Sequence, residues 1–136
     1  MKKKRMIGIG IAVAAIVLVC AGYVMFMQGD AARSMVRVAI TQSTPLRDSV
    51  MAFRRERGRW PGQAEAERFR IDPSRLQYVR AVVYDPKEKA VVIMMKSAPI
   101  DGKRFAFYGE EHGGTPQWVC RGIDIEATYL PASCRR

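Results

Sequence analysis

The sequence predicts an α+β fold: a long N-terminal helix, first membrane-spanning and then amphipathic, packed on a four-stranded antiparallel sheet. Three observations carry this expectation. Residues 6–27 contain no charged side chain. Residues 30–57 repeat apolar side chains at spacings of three and four. Residues 76–121 hold four short runs of strand-forming residues separated by turn signals.

The first element begins with a basic tail, residues 1–5, carrying Lys2, Lys3, Lys4 and Arg5. The apolar run at 6–27 follows, and about 20 apolar helical residues cross a bilayer core. The cationic tail is expected to stay in the cytoplasm and the remainder, 28–136, on the other side. A cleaved signal peptide fits less well, because its apolar region is about 7–15 residues and ends at a small-x-small site. Gln28-Gly29-Asp30-Ala31 is a poor cleavage site, and Val19 before Cys20 does not suit a lipoprotein signal. A retained anchor is therefore expected, with Cys20 as an apolar packing residue inside it.

Within residues 30–57, Val36, Ala39, Ile40, Ser43, Leu46, Val50 and Phe53 share one helical face. Pro45 permits two arrangements: one helix kinked there, or a second helix beginning there with Thr44 as N-cap. Gly58 and Trp60-Pro61-Gly62 end the helical pattern. Residues 63–74 are polar and read as a loop with at most one helical turn.

The second half changes period. Residues 76–84 alternate, with Tyr78, Arg80, Val82 and Tyr84 on one side, and 85–89 form a turn. Residues 90–95 are apolar on both faces, which predicts a central strand. Residues 97–102 turn, residues 103–108 return with Phe105 and Phe107 on one face, 110–115 form a Gly-rich loop, and 116–121 make the fourth strand.

The chain has 136 residues and a formal net charge of +10. The four cations of the tail leave +6 after Met27, which suits an anionic partner without proving one. Cys120 and Cys134 are the only cysteines outside the apolar run, so they pair if this part of the chain is oxidised. Closing a loop of about 15 residues contributes roughly 3 kcal/mol in the chain-entropy model.

Taken in order, several segments resemble type IV pilins of the major-subunit kind. They are Ala39-Ile40-Thr41 through Val50, Arg57-Gly58-Arg59-Trp60-Pro61, Tyr78-Val79, Ile100-Asp101-Gly102-Lys103, and Trp118-Val119-Cys120 with Leu130-Pro131-Ala132-Ser133-Cys134. The resemblance implies a pilin-like fold whose C-terminal disulfide loop lies at the subunit surface and serves adhesion or packing. Within that loop Arg121, Asp124, Glu126 and Tyr129 are expected to face outward. The N-terminus departs from the family pattern of a leader glycine followed by a glutamate at the fifth mature position. The fifth residue after Gly8 is Val13, after Gly10 it is Ala15, and no acid precedes Asp30. A carboxylate buried in an apolar helix needs a partner, and in filaments a neighbouring amino terminus supplies it. Without that carboxylate, the attraction that sets subunit register is missing.

The expected role is a structural or accessory subunit of a pilus system serving adhesion, anchored in a bacterial inner membrane or carried in the pilus. Its expected partners are other pilin subunits, pilus assembly proteins and the membrane, with no small-molecule substrate. Arg54, Arg55, Arg57 and Arg59 form a basic cluster at the helix end, where cations also suit the macrodipole. This cluster carries one alternative, a DNA-uptake receptor, with Trp60 or Tyr78 stacking a base. A further alternative, independent of the cluster, is a membrane-tethered modulator of pilus assembly that never enters a filament. His112 beside Glu110 and Glu111 is a weak metal pattern. No metal, no other cofactor and no enzymatic activity are expected.

Overall fold

The computed structural model describes residues 2–135, and side chains from Gly8 onward. Met1, Arg136 and the side chains of residues 2–7, which include the basic tail, lie outside the described set.

One helix, α1 (Lys2–Arg57), runs unbroken with Pro45 inside it, which decides between the two arrangements the proline permits. Proline cannot donate to the carbonyl one turn before it. Side chains brace the helix around this position. The Ile40 carbonyl accepts from Ser43 Oγ (2.7 Å) and Arg47 Nη2 (3.1 Å). Arg47 also donates to Ser43 Oγ (3.2 Å) and Thr44 Oγ1 (3.0 Å). Its guanidinium lies 4.0 Å from the centroid of the Phe107 ring, so the brace joins helix to sheet. Burial holds the Arg47 pKa below its usual range, against a smaller upward pull from Asp48. Arg47→Ala is expected to cost about 1–2 kcal/mol, read as a lower urea midpoint of the full chain in detergent with an unchanged slope. Arg47→Lys should recover little of this, since lysine lacks the planar fork.

After α1, Gly58 takes a positive φ of 69° and its N–H donates to the Arg54 carbonyl (3.0 Å), closing the helix end. A short helix α2 (Gln63–Ala66) follows. Then come β1 (Arg70–Ile71), β2 (Val79–Asp85), β3 (Ala90–Met95), β4 (Arg104–His112) and β5 (Thr115–Gly122). They form one antiparallel sheet in the order β1-β2-β3-β4-β5, five strands rather than the four expected. The added strand lies in the segment read as a loop, where two residues leave no periodicity to detect. β3 is central, as its two apolar faces predict. The expected Gly-rich loop shrinks to Gly113-Gly114, both at positive φ, so β4 and β5 extend to a two-residue turn.

The expected alternation in the first long strand also changes. Register slips between Val79 and Ala81, so Arg80 is an extra residue at a bulge. Val79, Val82 and Tyr84 are buried, whereas Tyr78 and Arg80 are exposed. Tyr78 precedes the strand with a φ of 57°.

The core lies between α1 and one sheet face. Ala32, Val36, Ala39, Ser43, Leu46 and Val50 form the buried helix stripe. Cross-strand rows meet it: Tyr84–Val91–Phe107–Cys120, and Val82–Ile93–Phe105–Gly122. By contrast, Ile9 through Met27 stands clear of the head, and its large apolar side chains are all exposed. This part of α1 is long and apolar enough to cross a membrane.

Candidate functional site

Two regions bear on function: the C-terminal loop and the arginine-rich end of α1. Cys120 on β5 and Cys134 in a terminal 3₁₀ turn (Ala132–Cys134) form a disulfide. Two apolar side chains fill the loop it closes. Ile125 and Leu130 are buried, and both pack over Gly122, where a Cβ would lie 3.0 Å from Leu130 Cδ1. Glycine at 122 thus makes room for the returning tail.

The four loop residues separate by environment. Asp124 and Glu126 are exposed, while Arg121 and Tyr129 are half-buried. Asp124 is a tether within the fold. Its carboxylate accepts from Arg104 Nε (2.9 Å) and from the Arg104 backbone N–H. Partial burial pushes the Asp124 pKa up, but the Arg104 hydrogen bonds and the Arg104 and Lys103 charges outweigh it and hold it below the usual range. Arg121 reaches back along the sheet to Glu110 and lies 5.4 Å from the Tyr108 ring centroid. Tyr129 packs against the core. Neither Tyr129 nor Glu126 has a side-chain hydrogen bond among the described residues, and of the two only Glu126 is exposed. His112 Nε2 is 3.3 Å from Glu110 Oε2.

At the helix end, the sequence cluster is divided by carboxylates from other elements. Arg54 pairs with Glu111 on β4 (2.7 Å) and sits 5.9 Å from the Trp60 ring centroid. Arg59 pairs with Glu65 on α2 (2.6 Å). Arg55 and Arg57 have no ion pair among the described residues and are exposed. Trp60 is committed to packing: its ring is 5.5 Å from Trp118 and covers Gly109. Tyr78 lies at the opposite end of β2 from these arginines, whose neighbours Pro86 and Lys89 follow that strand. Neither of the two aromatics expected to stack a base is therefore free beside the unpaired cations; Arg57 instead lies 6.0 Å from the Phe53 ring centroid.

Glu65 also accepts from the Gly62 N–H (2.8 Å), capping α2. The Arg59 and Gly62 hydrogen bonds lower its pKa from 4.5 to about 2. A carboxyl lowered in the folded state stabilises it above the unfolded pKa and loses that contribution as pH falls through the folded value. NMR titration should place the Glu65 midpoint near 2, with this contribution to stability declining between pH 4.5 and 2. In Arg59→Gln the midpoint should move up toward the ordinary carboxylate range.

A family model for pilins, bacterial filament proteins, matches residues 32–135. The chain belongs to the pilin family. No curated protein matches the chain. The pilin match begins at Ala32, the first residue of the buried helix stripe, and ends one residue past Cys134. It thus covers the whole head with its disulfide, and the family is one of structural subunits. Sequence patterns did not single out Arg47, Gly109 or Ile125 of this pilin, and marked Leu130 only as part of the C-terminal motif. Ile125 shares its alternating stretch with Ile123, which is exposed, so the sequence alone does not say which of the two turns inward.

Proposed function

We propose that this pilin is a membrane-anchored structural or accessory subunit of a type IV pilus system, serving adhesion. Residues 6–27 span the inner membrane, residues 1–5 remain in the cytoplasm, and 28–136 form a periplasmic head. The observation that carries this reading is the joining of a pilin head to an apolar helix that extends beyond it with every large apolar side chain exposed. Such a surface requires lipid or the helices of neighbouring subunits. A surface role for the disulfide loop is supported by exposed Asp124 and Glu126, with Glu126 the residue freest to contact a partner.

Shearing separates filaments from cell envelopes. The subunit reading predicts the full-length chain in the sheared fraction as well as in the envelope, with its N-terminus intact. An envelope-only distribution would favour the tethered modulator. A mature start at Ile9 or Ile11 would overturn the retained anchor. The DNA-receptor alternative now rests on Arg55 and Arg57, since Arg54 and Arg59 are occupied by Glu111 and Glu65. It predicts salt-sensitive duplex binding by the full chain, lost in Arg55→Gln/Arg57→Gln.

A further inference from the structure

We propose that the membrane-proximal end of the head carries a headgroup site. A recess lined by Arg33, Arg37 and Arg135 takes the phosphate of an anionic phospholipid from the leaflet out of which the head rises. This inference rests on residues 6–27 spanning the bilayer.

The unbroken helix fixes the height of the first two cations. At 1.5 Å per residue, the Cα atoms of Arg33 and Arg37 lie about 9 and 15 Å beyond Met27. Helical side chains lean toward the N-terminus, here toward the lipid. Arg33 does so: its Nη2 is 2.5 Å from Asp30 Oδ1 and 3.8 Å from where a Cβ on Gly29 would lie, while its Nη1 donates a long hydrogen bond to the Thr128 carbonyl (3.5 Å), so it contributes charge more than free donors. The guanidinium is therefore level with Gly29 and Asp30, about 3–5 Å past the apolar run. That falls within a headgroup layer roughly 5–8 Å deep.

Arg37 stands one turn further on the same face, about 6 Å higher, so it meets a phosphate from above the headgroup layer; it is exposed, with no side-chain hydrogen bond among the described residues. The C-terminal loop brings the third cation. Arg135 Nε donates to the carbonyls of Ala127 (3.0 Å) and Leu130 (2.9 Å), and its terminal nitrogens have no hydrogen-bond partner among the described residues. The three arginines, with Tyr129, Leu130 and Pro131, line a recess of about 280 Å³. Asp30 is the one carboxylate bonded to any of them among the described residues. The remaining charge is cationic, and guanidinium forks match phosphate oxygens. A zwitterionic headgroup adds an ammonium that these cations repel, so the site selects anionic lipid. Arg135 follows Cys134 directly, so the disulfide also holds the third cation in place.

The test uses the full chain in nanodiscs of mixed phosphatidylcholine and phosphatidylglycerol, with retained lipid counted by native mass spectrometry. Wild type is expected to retain phosphatidylglycerol preferentially. Arg37→Gln, which breaks no hydrogen bond or ion pair among the described residues, should lower that retention about five-fold, and the Arg33→Gln/Arg37→Gln/Arg135→Gln variant should abolish the preference. Equal retention of the two lipids, or an unchanged preference in the triple variant, would overturn the proposal. Displacement of the lipid by millimolar inorganic phosphate would overturn it too, assigning the recess to a free anion. No lipid preference in a wild-type chain that resists alkaline extraction refutes this site alone. A wild-type chain that alkali extracts refutes the spanning helix and this site with it.

Discussion

Replacing both Cys120 and Cys134 with alanine is expected to lower the unfolding free energy by about 3 kcal/mol. The two residues are 14 apart, and the closed loop removes conformational freedom from the unfolded chain. The intervening segment has little else to hold it. Its regular structure is one 3₁₀ turn (Ala127–Tyr129) before the terminal one, and its main anchors are Ile125, Leu130 and the Asp124–Arg104 pair. Alanine avoids adding a polar atom at two buried positions. The loss should appear as a lower urea midpoint for the full chain in detergent, and reduction of the wild type should reproduce it. Amide exchange in residues 123–135 should quicken most, because the tail leaves Gly122 before the sheet opens. Uniform acceleration across β2, β3 and β4 would show instead that the bond stabilises the head as one unit.

Gly109→Val is expected to cost about 3 kcal/mol, at the upper end of overpacking effects. A Cβ at this position would lie 2.5, 2.7 and 2.8 Å from three carbons of the Trp60 ring. That ring is rigid, is held between Gly109 and Trp118, and belongs to the loop that connects α1 to the sheet. Relief therefore requires Trp60 to leave its seat, not a small adjustment of a side-chain tip. Strand β4 itself should persist, since valine suits a strand. Tryptophan emission should shift to the red as Trp60 becomes wet, and the urea midpoint should fall. Gly109→Ala should move both in the same direction, and a native emission spectrum in Gly109→Val would contradict this packing.

Much of the head was legible because its physics is periodic. The stripe from Val36 to Val50 and the alternating Phe105 and Phe107 place a helix against a sheet, and the apolar 90–95 run belongs at the centre. What escaped was aperiodic or depended on distant partners. β1 has two residues, too few to show alternation. The bulge at Arg80 reverses which residues face inward, and no local pattern marks it. The arginine cluster looked like one cationic patch because Glu65 and Glu111 reach it through folding. Similarly, the Arg33, Arg37 and Arg135 recess joins residues nearly a hundred positions apart. Each side chain alone reads as a solvated charge.

The central claim, a pilin head held outside the membrane by a helix whose basic tail stays inside, can be tested with the chain's own lysines. Lys87, Lys89, Lys96 and Lys103 are exposed on the head, and Lys2, Lys3 and Lys4 precede the apolar run. A membrane-impermeant amine reagent applied to intact spheroplasts, followed by peptide mass mapping, reports which set faces outward. The account predicts modification of the four head lysines in intact cells and of the tail lysines only after lysis. Head lysines that stay unmodified until lysis would contradict it.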